Sequence, residues 1–352
     1  MSAVSRGVGS VAGSMAGGVL LLAAGAAWTV VAALGAGGSP VSTTALVLAA
    51  AATLAVAWLT AARRPSLVLM GVIGVAAALF VADAGATLRT SPTQGPFGYA
   101  NATAAFYAQA SVAAVLLVIA GRGALRAVGV VAAVGFAPLV IVSRSTTVMI
   151  LLPLALVVAL VVERAAGGRA AVAVCGALFV VTLVASIALG AWGGRSGPGP
   201  FDRLIAGTIS QERVVLWNDA LSLTARHPLL GVGPGRFADE SAIAAADPDL
   251  RWAHNEFLQA GAETGLPGYV LAVGVFLWGF AALWQGSPGR SAAVAAAGLA
   301  TLGIQASVDY VLHFPYVVLA GAAVLGAALG ASRGHPGTAP AFVAGTPVRG
   351  PA

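Results

Sequence analysis

Ten apolar runs dominate this sequence, and each is close to the length that an α-helix needs to cross a lipid bilayer. A span takes roughly 20 mostly apolar residues, and its backbone must satisfy its own hydrogen bonds. The runs therefore predict an all-α, polytopic integral membrane protein with about ten transmembrane helices and one large extracytoplasmic helical loop. They fall at about 17–36, 43–62, 66–86, 103–120, 127–142, 146–162, 170–192, 267–285, 291–309 and 313–332. The fifth and sixth are short and meet at 143–145, so one kinked unit is an alternative there.

The composition agrees with a membrane protein. The 352 residues are 59% hydrophobic and 9% charged, with a mean hydropathy of +0.93, whereas a soluble domain is about 25% charged. The single cysteine, Cys175, lies in an apolar run and excludes an internal disulfide or a cysteine-based metal site. We attribute the net charge of +6 to membrane topology and expect no nucleic-acid partner.

The placement of arginine predicts which side of the membrane each loop occupies. Short cytoplasmic loops carry an excess of basic residues, and this chain has arginine but no lysine. With the N-terminus inside, the outer side holds eight arginines and eleven acids. The cytoplasmic side then holds one acid, Glu163, beside Arg6, Arg63, Arg64, Arg122, Arg126, Arg164, Arg169, Arg290, Arg333 and Arg349. We therefore expect a multi-pass protein of the plasma (inner) membrane with both termini in the cytoplasm.

These patterns divide the chain into five segments. We predict a disordered cytoplasmic N-terminus (1–15), an N-terminal membrane bundle of about seven spans (16–192), an extracytoplasmic catalytic loop (193–266), about three C-terminal spans (267–332) and a disordered cytoplasmic tail (333–352). Nine of the twelve acids and six of the eighteen arginines lie in the loop, so we expect the chemistry there. The first run exceeds the usual apolar region of a signal peptide and is retained as a span, with cleavage after Ala36 as the alternative.

Two helices are predicted inside the loop. The first helix begins at a capping box that starts with Thr208, and the helix ends at His227. It is amphipathic, and we expect Trp217 to lie at the membrane interface. The second runs from about 248 to 264. Its helical spacing places Arg251, His254 and Asn255 on one face.

Three basic residues are candidates for catalysis. His254 can accept or donate a proton near neutral pH, and the guanidinium of Arg213 matches phosphate oxygens. Arg144 lies where two spans meet, at a depth where an arginine is costly. Each also has a simpler explanation: a histidine that caps or pairs with a carboxylate, an arginine that anchors the interface, or an arginine that binds carbonyl groups at a helix junction.

Other polar positions receive structural assignments at this stage. Asn101 is predicted to cap the fourth span. Asp83 and Asp309 lie near the outer ends of their spans, where they would pair with Arg144 or Arg89, or face water.

Two motif matches are rejected on their context. Asp247-Pro248-Asp249 matches the acidic pair of glycosyltransferases that hold a divalent ion and a nucleotide sugar, but nucleotide sugars are cytoplasmic and this pair is predicted outside. A helix start with proline at its first position explains it better. The glycine-rich stretch 231–235 resembles a phosphate loop, yet it lacks the strand and the Lys-Ser/Thr of that motif, so a tight turn between helices is favoured.

Taken in order, several short pieces make the chain resemble the O-antigen ligase and polymerase superfamily of bacterial membrane glycosyltransferases. These pieces are Gly98-Tyr99-Ala100-Asn101, Ser143-Arg144, Arg213 with Trp217, the stretch 228–235 with Phe237, His254-Asn255, Glu263 with Gly265, and the stretch 307–315 before the last span. Each piece is weak alone, whereas their order is fairly specific. Members often have about twelve spans, and ten are counted here.

The resemblance implies a polyprenyl-diphosphate-linked glycan as donor and a transfer to an acceptor hydroxyl outside the cell, without a metal or nucleotide cofactor. It implies that Arg144 and Arg213 bind the diphosphate and that His254 activates the acceptor. Substrate-binding roles are expected for Asn101, Trp217, Arg251, Asn255 and Glu263. The expected partners are a glycan, lipid or protein acceptor, membrane lipid, and an envelope polysaccharide assembly complex.

Two other functions compete with this enzyme. A transporter or flippase of lipid-linked glycans would place ionisable residues along a path near the bilayer midplane, whereas here they cluster in one loop. A structural partner in envelope assembly would use the loop as a docking surface. The sequence leaves open ligase against polymerase, the sugar and the acceptor.

Overall fold

The computed structural model describes residues 3–87, 97–143, 145–193, 210–286 and 289–332. Every regular element in these ranges is a helix, and seven of the helices are long and apolar enough to cross a membrane. The all-α, multi-pass class is thereby confirmed. Four earlier assignments lie outside the described residues: Arg89, Arg144, the cap at Thr208 and the tail from 333 onward.

The described α-helices are numbered here in chain order. They are α1 (Ala3–Ala36), α2 (Val41–Ala61), α3 (Pro65–Thr87), α4 (Ala100–Ala120), α5 (Ala124–Val142), α6 (Thr146–Ala166), α7 (Gly168–Gly193), α8 (Gln211–Arg226), α9 (Phe237–Glu240), α10 (Ala242–Ala246), α11 (Glu256–Gln285), α12 (Arg290–Ala306) and α13 (Pro315–Ala331). Short 3-10 turns lie at Pro248–Leu250 and Val311–His313.

A helix coincides with each of the ten predicted spans, but the count of ten spans is not confirmed. The seven helices that meet the length and hydropathy requirements are α1 to α4, α6, α7 and α11, while α5 and α13 are apolar but shorter. The fifth and sixth runs form two separate helices, α5 and α6, rather than one unit. Helix α1 begins at Ala3 and so includes most of the segment for which we predicted disorder.

Helix α4 is the centre of the bundle. In its apolar window 83% of the residues are buried, against 17–28% in the other six long helices. It packs against α3, α5, α12 and α13. Close packing elsewhere depends on small residues, as membrane helix interfaces commonly do: a Cβ added at Gly326 or Gly330 of α13 would collide with the backbone of α2. Because α4 is packed on several sides by other helices, its N-terminal end is held in a defined position in the bundle.

The glycine-rich stretch is a tight turn that is hydrogen-bonded to α11. The backbone N–H groups of Val232 and Gly233 donate to the carbonyls of Ala262 and Glu263 at 2.9 and 3.0 Å. Helix α11 is broken at Gly265, whose φ of +74° is readily adopted only by glycine. The turn interpretation of 231–235 is therefore confirmed. These hydrogen bonds attach the polar segment, residues 193–266, to the part of α11 that precedes the break at Gly265.

Candidate active site

The first loop helix packs inward rather than against the membrane surface. Helix α8 begins at Gln211 with Ser210 as its N-cap residue, and it packs against α7 and α11. Trp217, which we predicted at the membrane interface, is fully buried in a second apolar core together with Leu216, Phe237 and Leu258. The prediction failed because the apolar stripe of α8 is covered by other parts of the same chain.

The predicted helix from 248 to 264 is also wrong in its first half. A 3-10 turn at Pro248–Leu250 is followed by non-helical backbone, and α11 begins only at Glu256. Arg251, His254 and Asn255 therefore do not share a helical face. Asp247 caps the 3-10 turn by accepting the N–H of Asp249 at 2.9 Å, and a proline lies in the first turn of this short helix, as predicted.

Asn255 ends this irregular segment and connects three elements. Its side-chain oxygen accepts the N–H groups of Phe257 and Leu258, both at 3.1 Å, as an N-cap of α11. Its Nδ2 donates to Ser186 Oγ in α7 and to the carbonyl of Ser307 after α12, at 3.0 and 2.7 Å. All these bonds are buried, so the contacts favour a structural role for Asn255 over substrate binding.

The backbone of His254 has an unusual conformation that its neighbours hold in place. Its φ is +50°, and it is the one non-glycine residue with positive φ in the described chain. Such a conformation costs roughly 1–2 kcal/mol for most side chains. Trp217 stabilises it, because its Nε1 donates to the His254 carbonyl at 3.1 Å. The two residues quoted separately in the sequence motif are thus in direct contact.

Removing that donor gives a first prediction. We expect Trp217→Phe to lower the stability of the protein by about 1–3 kcal/mol, because the buried His254 carbonyl loses its partner. The measurement is the apparent melting temperature of the detergent-purified protein. Trp284→Phe is the matched control, since Trp284 is 43% exposed, and equal melting temperatures for the two variants would contradict the role of the indole N–H.

Asp309 is the centre of the polar site, and it lies just beyond the end of α12 with 4% of its surface exposed. The hydroxyl of Tyr99 donates to its two carboxylate oxygens at 2.7 and 2.9 Å, and the side-chain amide of Asn101 donates to Oδ2. The N–H of Tyr310 donates to Oδ1 at 2.8 Å. Asp309 therefore fixes the start of α4 against the turn after α12.

The two basic candidates that the structure describes meet at this carboxylate. A guanidinium nitrogen of Arg213 lies 3.2 Å from Oδ2 of Asp309, and Nδ1 of His254 lies 3.3 Å from Oδ1. The histidine contact is at the long end of hydrogen-bond range and is not well aligned. The expected exposure of Asp309 to water is wrong, because 4% of its surface is exposed. Its predicted pairing with Arg144 or Arg89 involves residues outside the described ranges and stays a prediction.

The contacts also decide the charge of Asp309. Burial alone would raise the pKa of this carboxyl, but the bond to His254, the charge of Arg213 and the Tyr99 hydroxyl together lower the pKa below its ordinary value. The same burial and the neighbouring carboxylate raise the pKa of Tyr99 far above its usual range. Asp309 is therefore ionised while Tyr99 remains a protonated donor.

An ionised carboxylate can only accept, so Asp309 favours the neutral His254 tautomer with its hydrogen on Nδ1, 3.3 Å from the carboxylate. Nε2 then carries the free lone pair. His254 is 7% exposed, and Nε2 has no hydrogen-bond partner among the described residues. Tyr310 packs edge-on against the imidazole with ring centroids 4.8 Å apart. The arrangement presents a buried imidazole, neither of whose nitrogens has a well-aligned hydrogen bond among the described residues, and a guanidinium that shares Asp309 with it.

The remaining predicted site residues are Asn101, Glu263 and Arg251, of which Asn101 contacts Asp309. Asn101 was predicted to cap α4, but the helix starts at Ala100 with Tyr99 as its N-cap residue, and the Asn101 side chain binds Asp309 instead. Glu263 is buried and accepts the N–H groups of Gly235 and Phe237 at 2.9 and 3.4 Å, so its contacts favour holding the turn. Arg251 is exposed beside Trp252.

Sequence reasoning did not assign a site role to Tyr99 or Asp309. Both lay inside the quoted motif pieces, where the signal was available: an acidic side chain at the end of an apolar run is costly unless it has a partner. The partner is distant in sequence, because Arg213 precedes Asp309 by 96 residues.

The fold and site together define a multi-pass helical membrane protein with a His–Asp–Arg cluster, in which the histidine and aspartate are buried and the arginine is partly exposed. Residues 128–273 match the model of a protein family described as O-antigen ligase. This match confirms the resemblance to the O-antigen ligase superfamily and supports a membrane protein of polysaccharide biosynthesis with ligase- or polymerase-like function. A search of curated proteins finds no match.

Proposed function

We propose that the protein transfers a glycan from a polyprenyl-diphosphate donor to an acceptor hydroxyl, without a metal, at the outer face of the plasma membrane. The observation that carries this proposal is that Asp309 contacts both Arg213 and buried His254, whose Nε2 has no hydrogen-bond partner among the described residues. One group can take a proton and the other can bind an anion, as this transfer requires.

The reaction follows from those two groups. The acceptor oxygen gives its proton to Nε2 of His254 as it bonds to the anomeric carbon of the donor sugar. The bond from that carbon to the diphosphate oxygen breaks, and the diphosphate leaves with the electron pair. Arg213 stabilises the developing negative charge with the guanidinium donors that Asp309 does not occupy. The polyprenyl diphosphate takes up the released proton, directly or through water.

An apolar cavity near the site suits the polyprenyl chain of the donor. It has a volume of about 400 Å³ and lies between α1, α2, α11 and α13, with Leu22, Leu46, Leu271 and Val318 in its lining. Glu256 and His313 also line it, and the His313 ring lies 6.1 Å from Tyr310. We infer that the lipid chain of the donor occupies this cavity.

The sidedness of the site is part of the proposal. The arginine distribution supports cytoplasmic termini and an outward-facing segment from 193 to 266. The sidedness can be tested with single cysteines in a Cys175→Ala background. Each cysteine is introduced at an exposed position of the segment, such as Glu240. Labelling of intact cells by a membrane-impermeant thiol reagent is expected, and labelling only after lysis would exclude an exported donor.

Purified protein incubated with a polyprenyl-diphosphate oligosaccharide tests the activity directly. Longer lipid-linked chains without another acceptor identify a polymerase, and products that require a distinct acceptor identify a ligase. The flippase alternative would be favoured by two results together. The protein would transfer nothing to a panel of glycan, lipid and protein acceptors, and it would move the labelled donor across vesicle membranes.

A second prediction concerns Asp309 as a positioning residue. We expect Asp309→Asn to lower the transfer rate by roughly 10–10²-fold, because a carboxamide no longer holds the hydrogen of His254 on Nδ1 or the charge of Arg213. Asp309→Glu should recover part of the rate, since the carboxylate returns. Asp239→Asn is the control, because its side chain is 69% exposed. Equal rates for Asp309→Asn and Asp309→Glu would contradict a role for the charge.

A further inference from the structure

A row of aromatic rings leads away from Asp309 along the polar end of the bundle. Tyr99 and Tyr310 stack with ring centroids 4.6 Å apart, and Tyr99 stacks on Phe314 at 5.6 Å. Trp252 follows at 6.3 Å from Tyr310. All four rings are partly exposed. We call them the aromatic row.

Trp252 is the member of the row best placed for a ligand. It lies two residues before His254 on the non-helical segment, and it reaches the imidazole through Tyr310. Its ring packs against His313 with centroids 4.1 Å apart. The exposed guanidinium of Arg251 lies 5.2 Å from the Trp252 ring centroid. A large, partly exposed ring and a multiple hydrogen-bond donor thus lie one aromatic ring, Tyr310, away from the His254 imidazole.

These features match the chemistry of a sugar ring. A pyranose has a C–H-rich face that packs against an aromatic ring and a rim of hydroxyl groups that accept hydrogen bonds. Binding sites for such ligands combine aromatic surface with a few placed polar groups. We propose that Trp252, with Tyr310 and Arg251, forms a subsite that binds a sugar ring of the acceptor glycan next to His254.

The assignment to the acceptor rests on the proposed function. In a direct displacement the acceptor oxygen enters opposite to the leaving diphosphate. The contacts run from Arg213 to Asp309, then to the backbone N–H of Tyr310 and from the Tyr310 ring to Trp252, so Asp309 and Tyr310 separate Trp252 from the diphosphate-binding guanidinium along this series. A sugar on Trp252 would present its hydroxyl to His254.

The competing explanation is an aromatic belt at the membrane interface, where tyrosine and tryptophan are enriched. The chain offers a matched control for it. Tyr316 is 48% exposed and stacks on Phe97 at 4.7 Å, but it has no ring contact with His254, Tyr310 or Trp252 among those in the described structure. A belt role would make Trp252 and Tyr316 equivalent, whereas a sugar subsite depends on Trp252.

The test measures glycan binding without donor lipid. The probe is oligosaccharide released from the cell's own envelope polysaccharide, titrated into detergent-purified full-length protein by calorimetry. We expect Trp252→Ala to raise Kd by about three- to tenfold and Trp252→Phe to stay near the native value, because a ring is retained. Tyr316→Ala is expected to bind as the native protein does. If Trp252→Ala does not fold, Trp252→Leu replaces it in the comparison with Trp252→Phe.

The outcomes separate this proposal from the enzyme assignment. Native affinity in Trp252→Ala or Trp252→Leu, or equal weakening in Tyr316→Ala, overturns the subsite and leaves the transferase proposal standing. Ring-dependent binding by a protein that performs no transfer supports a sugar-binding subsite and rejects the enzyme.

Discussion

His254→Asn is expected to reduce glycan transfer by about 10²–10⁴-fold, the usual contribution of a positioned general base. The loss follows from the chemistry at Nε2, because no other described group is held at that position with an unpaired lone pair. The measurement is the rate of product formation from polyprenyl-diphosphate oligosaccharide under single-turnover conditions, with variant and native protein at equal folded concentration.

Asparagine is the appropriate replacement because of the backbone. With φ at +50°, a residue that tolerates the left-handed region keeps the turn, whereas alanine adds strain. We expect His254→Asn to melt near the native temperature and His254→Ala to melt lower, with similar losses of transfer. A folded His254→Asn protein that retains more than about a tenth of the native rate would exclude base catalysis by His254.

Arg213→Ala is expected to cost about 10²–10³-fold in transfer rate, the effect of removing one donor that stabilises developing charge. The transfer rate of Arg213→Lys should lie between those of Arg213→Ala and the native protein, since an ammonium retains charge without the planar fork of donors. The separate measurement of kcat and donor KM matters here. Arg213 stabilises the leaving diphosphate, so we expect kcat to fall more than KM rises.

Arg236→Ala provides the comparison for charge in the same loop. Arg236 pairs with Glu240 and donates to the carbonyls of Ala36 and Val232, but among the described residues it has no hydrogen bond or ion pair with Asp309 or His254. Its removal should therefore leave transfer unchanged when rates are compared at equal folded concentration. If Arg236→Ala and Arg213→Ala lose the same activity, the effect of Arg213 is a general one of positive charge. If Arg213→Ala matches Asp309→Ala in stability but transfers at the native rate, the ion pair is structural.

The membrane class was predictable because it depends on composition summed over long windows. Apolar runs near 20 residues leave few alternatives to helices, and each run is a helix in the structure. The family resemblance was also accessible, since its short motif pieces are read directly in chain order. These are local or averaged signals that need no knowledge of which elements meet.

The arrangement of the site was harder to predict because tertiary packing overrides helical periodicity. Trp217 lies on an amphipathic stripe that fits a membrane interface as well as an internal core, and only the contact of α8 with α7 and α11 decides between them. Likewise the stretch before Glu256 has helical spacing, but Asn255 caps α11 there and so ends the helical pattern. Sequence spacing therefore assigned Arg251 and His254 to a shared face that does not exist.

The ion pairs of Asp309 could not be predicted from the sequence either. A carboxylate at the end of an apolar run indicates a partner, but several arginines were available along the chain. Its partners Tyr99, Arg213 and His254 come from three separate segments. The helices that bring those segments together must be known before the charges can be paired.

The origin of the site in separate segments affects how the protein can be dissected. The matched stretch, 128–273, carries the imidazole and the guanidinium, but the carboxylate and the phenol that hold them are contributed by residues before and after it. A recombinant fragment cut to that stretch would expose two basic groups without their shared counter-ion. Inactivity of such a piece would therefore report a missing anchor, and complementation by co-expressed flanking helices would be the way to restore it.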